Sequence, residues 1–442
     1  MNLRIVASLI ATLLAAITAS PVHATNLLDV YRDARAQDPV YASARASAEA
    51  GKEAYPQARA GLLPNVNLSG AYNRNERETS GLPKFDFNSK SYTLSLTQPL
   101  FRVQNWIAAD QAGWQVKQTD AIFADAEQNL ILRAAQAYFD VLLAQDNVAL
   151  SSAQKTAFSE QLAQAKRNFE VGTATIVDTY DSQARFDLAG AREIADQNDL
   201  EIKTRALQQL IGRLPASLSP LRDGVSLALP QPANMDEWVK SAEETSPLIA
   251  QFRAAYEIAS RDVTRNKAGH LPTLDLVGSF SDSRSPSINS LGTVGPELST
   301  KATQIGLQLT FPLFQGGGTQ SRIRQSLSLR EKSGQDLENT KRAVAQNVRL
   351  NYLGVTNGVA QVKAFEAALV SSKSSLDSTI LGREVGVRTN VDILNAQQQL
   401  FQARRDLQQA RYNTILSQLR LKSASGRLQE EDVAEVNRLL AN

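Results

Sequence analysis

Thr303-Gln-Ile-Gly-Leu-Gln-Leu-Thr-Phe-Pro-Leu-Phe-Gln-Gly-Gly317 decides the fold, because one periodicity ends in it and another begins after it. Ile305, Leu307, Leu309 and Phe311 alternate with Gln304, Gly306, Gln308 and Thr310. A period of two puts the apolar residues on one face of a strand and the polar ones on the other. Beyond Pro312 no further proline occurs, and Val344, Val348, Tyr352, Val355, Val359 and Val362 recur at spacings of three and four. That is the seam of a long, coiled-coil-like helix.

The same handover occurs earlier in the chain. Tyr92, Leu94 and Leu96 alternate with Thr93, Ser95 and Thr97 up to Pro99, and then no proline appears until Pro215. Proline inside a helix costs about 3 kcal/mol, so each proline-free tract reads as long helix. Val66, Leu68 and Tyr72 mark another strand, as do Leu274, Leu276 and Phe280; residues 73–90 and 281–302 read as polar loops. Pro64, Pro99, Pro272 and Pro312 stand where helix and strand exchange. The two halves are copies. Ala60-Gly-Leu-Leu-Pro64 matches Ala268-Gly-His-Leu-Pro272 at a shift of 208, and Glu170-Val-Gly172 matches Glu384-Val-Gly386 at a shift of 214. The drifting offset points to a duplication with small insertions.

Charge and composition narrow the chemistry. The 442 residues carry 47 basic and 45 acidic side chains, for a net charge of +2, so bulk charge gives no reason to expect nucleic acid as a partner. With no cysteine and only His23 and His270, thiol chemistry and multi-histidine metal sites are excluded, and no cofactor or metal is expected. Arg4, an apolar run over residues 5–17 and Val22-His23-Ala24 form a secretory signal with cleavage after Ala24. No later stretch offers the roughly 20 apolar residues of a spanning helix, which leaves β-strands as the membrane element.

These readings divide the chain. Residues 1–24 are the signal peptide. Residues 25–212 form the first repeat, with strands at about 64–76 and 90–101, a long helix at about 105–169 and a returning helix at about 175–211. Residues 213–237 hold short elements, among them a possible small strand at 225–229. Residues 238–426 repeat the pattern, with strands at about 272–284 and 303–312, a long helix at about 318–383 and a returning helix at about 389–425; a C-terminal segment, 427–442, follows. The class is mixed α and β. Four strands cannot close a barrel, and an open edge in lipid leaves amides unpaired at several kcal/mol each. Closure must come from copies of the chain, two giving 8 strands and three giving 12.

In this arrangement the chain resembles the TolC family of outer-membrane channel-tunnels. The resemblance spans the mature chain. It is carried most specifically by Ala268-Gly-His-Leu-Pro-Thr-Leu-Asp-Leu276, Phe311-Pro-Leu-Phe-Gln-Gly-Gly317, Val385-Gly-Val-Arg-Thr-Asn-Val-Asp-Ile-Leu394 and Ala410-Arg-Tyr-Asn-Thr-Ile-Leu416. It implies a homotrimer whose 12-stranded transmembrane barrel continues into a periplasmic α-helical barrel, with residues 213–237 and 427–442 as equatorial segments. The partners it implies are outer-membrane lipid, a periplasmic adaptor and an inner-membrane ABC or RND-type transporter. The function it implies is export of proteins by type I secretion, efflux of small molecules, or both, from the outer membrane into which the tunnel opens.

The turns Val171-Gly172 and Val385-Gly386 read as hairpin turns, and the resemblance implies that the adaptor docks there. Thr175 with Asp178, and Thr389 with Asp392, have the spacing of helix-capping boxes. By resemblance, Asp392 matches an acidic residue of the closed periplasmic aperture, and Arg388 and Asp178 match the pair that links neighbouring hairpins. Asn395 stands where the family pattern has a second aperture aspartate, Arg383 where it has a linking tyrosine, and Val177 where it has a threonine. The expectation is a single acidic ring and a gate relying on Arg–Asp pairing. Gly316-Gly317-Gly318 lacks the Lys-Ser/Thr of a phosphate loop and reads as the exit from a strand. The alternative function is a periplasmic coiled-coil adaptor or scaffold, which shares the helices but has no need of four amphipathic strands. An enzyme is not expected.

Overall fold

The computed structural model describes residues 24–78, 80–81, 84–222, 224–288 and 294–441. The signal-peptide reading therefore lies, but for Ala24, outside the described residues. In chain order the elements are α1 (Leu27–Gln37), α2 (Pro39–Lys52), α3 (Ala54–Ala60), β1 (Asn65–Arg77), β2 (Phe85–Phe101), α4 (Val103–Glu170) and α5 (Ile176–Ile211). Then come α6 (Met235–Thr245), α7 (Pro247–Lys267), a 3-10 turn (Ala268–His270), β3 (Thr273–Ile288), β4 (Val294–Thr310), α8 (Gly318–Glu384), α9 (Asn390–Ala424) and α10 (Glu430–Asn437). Helices α4 and α8 have 68 and 67 residues, about 100 Å each at the α-helical rise. Among the described residues no helix is long and apolar enough to cross a membrane. Two compact units form, and each draws on both repeats: residues 45–123 with 247–342, and residues up to 44 with 124–246 and those from 343 onward.

The first of these units holds one antiparallel sheet of order β1-β2-β3-β4. Register makes it two-faced. Val66, Leu96, Gly278 and Ile305 form one cross-strand row, and the adjacent row is Asn67, Ser95, Ser279 and Gln304. Val66, Leu68, Leu94, Phe280 and Ile305 are exposed, Ile305 at 77%. Among the described residues, the outer strands β1 and β4 each leave one side of their ladder unpaired.

The strands run further than alternation indicates. β2 begins at Phe85 and β4 at Val294, so much of the supposed loops at 73–90 and 281–302 is strand. The reason is that alternation reports where side chains meet an apolar medium. The ladder itself needs only a partner backbone, and it continues through Arg74, Glu76, Asp86 and Asn88 on the face that carries Val66 and Leu94. Pro99 also differs from the expected position: it lies inside β2, where the register with β3 slips between Pro99 and Phe101. An irregular ladder tolerates the missing amide hydrogen. Pro64 and Pro272 directly precede β1 and β3, and Pro312 follows β4. At the start of α4, Arg102 Nε and Nη2 donate to the two Asp275 oxygens at 2.8 and 2.6 Å, which ties the two repeats together. Trp106 is half exposed and meets Phe101 edge-on at 5.9 Å, whereas Trp114 lies under the Arg261 guanidinium at 5.2 Å.

The second unit is helical. Its core includes Leu130, Tyr138, Phe139, Leu142, Leu207, Ile415 and Leu419, each under 2% exposed. Polar anchors punctuate it. The Tyr138 hydroxyl donates to the Ser219 carbonyl at 2.7 Å, and the Tyr412 hydroxyl donates to Asp146 at 2.7 Å beside the Phe139 ring. Buried Asp38 accepts from the Tyr41 amide at 3.0 Å, capping α2, and from Arg133 Nη2 at 2.5 Å. Residues 225–229 do not form the small strand expected of them. The Ala228 carbonyl instead accepts from the Gln418 side chain at 2.9 Å, and Leu227 packs on Val362, Leu407 and Ala410. A side-chain acceptor and an apolar cluster satisfy this segment where a ladder partner is missing.

Candidate functional site

Each long helix ends in the same local device, and the two copies are built alike. At the end of α4, the Thr173 amide bonds the Asn168 carbonyl at 2.8 Å; at the end of α8, the Val387 amide bonds the Gly382 carbonyl at 2.9 Å. Gly172 and Gly386 have φ of 78° and 81°, a left-handed turn that costs other residues about 1 kcal/mol or more. Val171, Val385 and Val387 project from these turns, each more than two-thirds exposed.

The returning helices then start on capping boxes. Thr175 N and Oγ1 donate to Asp178 Oδ2 at 3.0 and 2.8 Å, and the Asp178 amide donates back to Thr175 Oγ1 at 3.3 Å. Thr389 and Asp392 repeat this at 2.8, 2.9 and 3.2 Å. Hydrogen bonds from the Thr389 backbone and side chain, helped by the nearby Arg388 charge, hold the Asp392 carboxyl below its ordinary pKa. Both turns thus present a fixed carboxylate with one oxygen engaged.

The remaining predicted residues separate. Arg388 is exposed, and its stem lies against Gly382, where an added Cβ would meet Arg388 Cγ at 2.8 Å. Gly382 therefore helps set the direction of that side chain. The Arg383 carbonyl accepts from the Gly386 amide at 3.1 Å. Among the described residues, neither Arg383 nor Arg388 makes an ion pair within the chain, and the bonds to the Asp178 carboxylate come from Thr175. Asn395 is engaged elsewhere: its Oδ1 accepts from Arg185 Nη2 at 2.8 Å, and Arg185 Nη1 reaches Gln398 Oε1. Below these contacts, buried Asn390 donates to buried Ser182 at 3.0 Å.

Arg185, Ser182, Asn390, Gln398 and Gly382 were not singled out from sequence. The one signal that could have found the bridging residues is separation. Ser182 and Asn390 are 208 residues apart, and Arg185 and Gln398 are 213 apart, close to the repeat offset. At the local offset of 214 the equivalents of Ser182 and Arg185 are Ala396 and Gln399, so the bridges join positions six residues and one residue out of register.

Residues 30–213 and 238–427 match a family model described as outer membrane efflux protein. The chain is 34% identical over 418 residues to the outer membrane protein TolC of Vibrio cholerae, covering 95% of this chain and 94% of that protein. It is 35% identical over 421 residues to the alkaline protease secretion protein AprF of Pseudomonas aeruginosa, covering 93% and 86%. In fold it resembles the Campylobacter jejuni CmeC outer membrane channel, with a TM-score of 0.79 at 16% identity, covering 94% of this chain and 90% of that one. With a family match in each repeat, relatives aligned over nearly its whole length and the fold of an outer-membrane channel, this chain belongs to the outer membrane efflux protein family.

Proposed function

We propose that three copies of this outer-membrane channel protein close a barrel of twelve strands that continues into a periplasmic tunnel, and that the assembly exports cargo passively. The observation that carries this reading is the two-faced sheet. One row presents Val66, Leu96, Gly278 and Ile305, the next Asn67, Ser95, Ser279 and Gln304, and among the described residues both edge strands lack an outer neighbour. An apolar exterior and a polar lumen are what a barrel in lipid requires, and only further copies remove the edges. A relative named for protease secretion supports protein cargo, and the family's description supports efflux; the tunnel serves one or both.

The chain performs no catalysis in this reading, and energy and opening come from an inner-membrane ABC or RND-type transporter and a periplasmic adaptor. Exposed Val171 and Val385, with Gly172 and Gly386, form the tips onto which the adaptor docks. Asp178, Arg388 and Asp392 gate the aperture, Arg388 pairing with Asp178 of a neighbouring copy, with Arg383 and Asn395 alongside. In planar bilayers the purified protein is expected to give discrete conductance steps that rise in Arg388→Ala or Asp178→Ala. A protein that makes no pores and leaves membranes in a detergent-free wash would instead be the helical adaptor or scaffold.

A further inference from the structure

We infer that Arg185 is a latch that ties the two returning helices together within one chain and governs the charge at position 395. The inference rests on the proposed function, in which the turns preceding α5 and α9 close the pore. Arg185 lies two turns into α5, and its guanidinium reaches across to α9. Nη2 donates to Asn395 Oδ1 at 2.8 Å and Nη1 donates to Gln398 Oε1. Acceptors at i and i+3 share one face of α9, and the planar fork of guanidinium donors engages both at once.

A second link supports the first. Ser182, fully buried one turn before Arg185, accepts from the buried Asn390 side chain at 3.0 Å. Next to these links the fully buried Leu394 packs with Phe158 and Ala189. Both returning helices are therefore joined over the turns that follow their caps, and the two tips are coupled inside each protomer. This coupling is separate from any pairing of Arg388 with Asp178 of a neighbour. Separating α5 from α9 requires the Arg185 bonds to break.

Both acceptors of Arg185 are neutral amides, and among the described residues no carboxylate pairs with it. Its positive charge is left uncompensated beside position 395. A carboxylate placed there would be neutralised by Arg185 and would not form a second acidic ring. Asn395 is thus held as a hydrogen-bond acceptor of the latch.

The test compares the parent, Arg185→Gln, Asn395→Asp and the double variant in planar bilayers, with circular dichroism to verify folding. An exposed link of this kind shifts an equilibrium by about two- to fivefold, so Arg185→Gln is expected to raise the open fraction by that factor. Asn395→Asp alone cancels the Arg185 charge and should raise the cation-to-anion permeability ratio part of the way, and the double variant, which leaves that carboxylate bare, should raise it further by a similar factor. An arginine remote from position 395 would leave Asn395→Asp and the double variant equally selective. The latch is overturned if the parent conducts and Arg185→Gln behaves identically, or if Asn395→Asp alone is as cation-selective as the double variant. A parent without pores overturns the proposed function instead. The link is then read from a double-mutant cycle of Arg185→Gln and Asn395→Leu in thermal unfolding, where zero coupling overturns it.

Discussion

Asp146 accepts the Tyr412 hydroxyl at 2.7 Å, yet burial outweighs that bond and pushes its carboxyl above the ordinary carboxylate range. The folded state then binds this proton more readily than the unfolded one. Its contribution to stability is complete below the unfolded pKa of about 3.9 and is lost as pH rises through the folded value. At neutral pH the ionised carboxylate is a liability. Asp146→Asn keeps an acceptor for Tyr412 and removes the charge, so its melting temperature at pH 7 should equal or exceed the parent's, with the advantage vanishing by about pH 4. Melts followed by circular dichroism check this, and a lower value at pH 7 refutes it. Asp38 is the opposite case. Burial works against it, but the Arg133 hydrogen bond and the Tyr41 amide win and lower its pKa, so its contribution is lost on acidification. The cap is local, Asp38 standing directly before Pro39, but the Arg133 and Tyr412 partners are not legible in the sequence, because they depend on which distant side chain reaches each aspartate.

Helices α5 and α9 begin on Thr-x-x-Asp boxes, and each follows a glycine with positive φ. Removing the cap hydroxyl with Thr389→Ala should cost about 1 kcal/mol, seen as roughly fivefold faster hydrogen exchange in the first turn of α9. Unchanged exchange would mean that packing against α5 alone holds this turn. The caps were legible in the sequence because a capping box is complete within four residues. The strand ends were not: β2 starts at Phe85 with Phe85 and Phe87 on the face opposite Leu94, and β4 starts at Val294, well before Ile305, Leu307 and Leu309 mark the apolar face, since a ladder is sustained by the neighbouring backbone. Residues 225–229 failed for the converse reason, a strand-like pattern without a strand beside it.

For the whole assembly, the two faces of the sheet make unequal demands. Leu307 sits on the row family of Ile305, and Gln304 on the opposite face. Leu307→Arg should cost about 2–4 kcal/mol if it faces the bilayer centre and should lower the folded, outer-membrane fraction, whereas Gln304→Arg should assemble like the parent and alter only permeation. Equal behaviour of the two variants would sink the barrel reading. Sequence alone determined the two periodicities, the handovers marked by Pro64, Pro272 and Pro312, the duplication and the capped turns, because each is written in residues close along the chain and recurs in both halves. Tertiary structure alone decided that Arg185 meets Asn395, that Tyr412 meets Asp146 and that Arg102 clasps Asp275. Contacts between elements far apart in the chain leave no periodic trace, since they depend on how two surfaces are brought into register and not on the composition of either one.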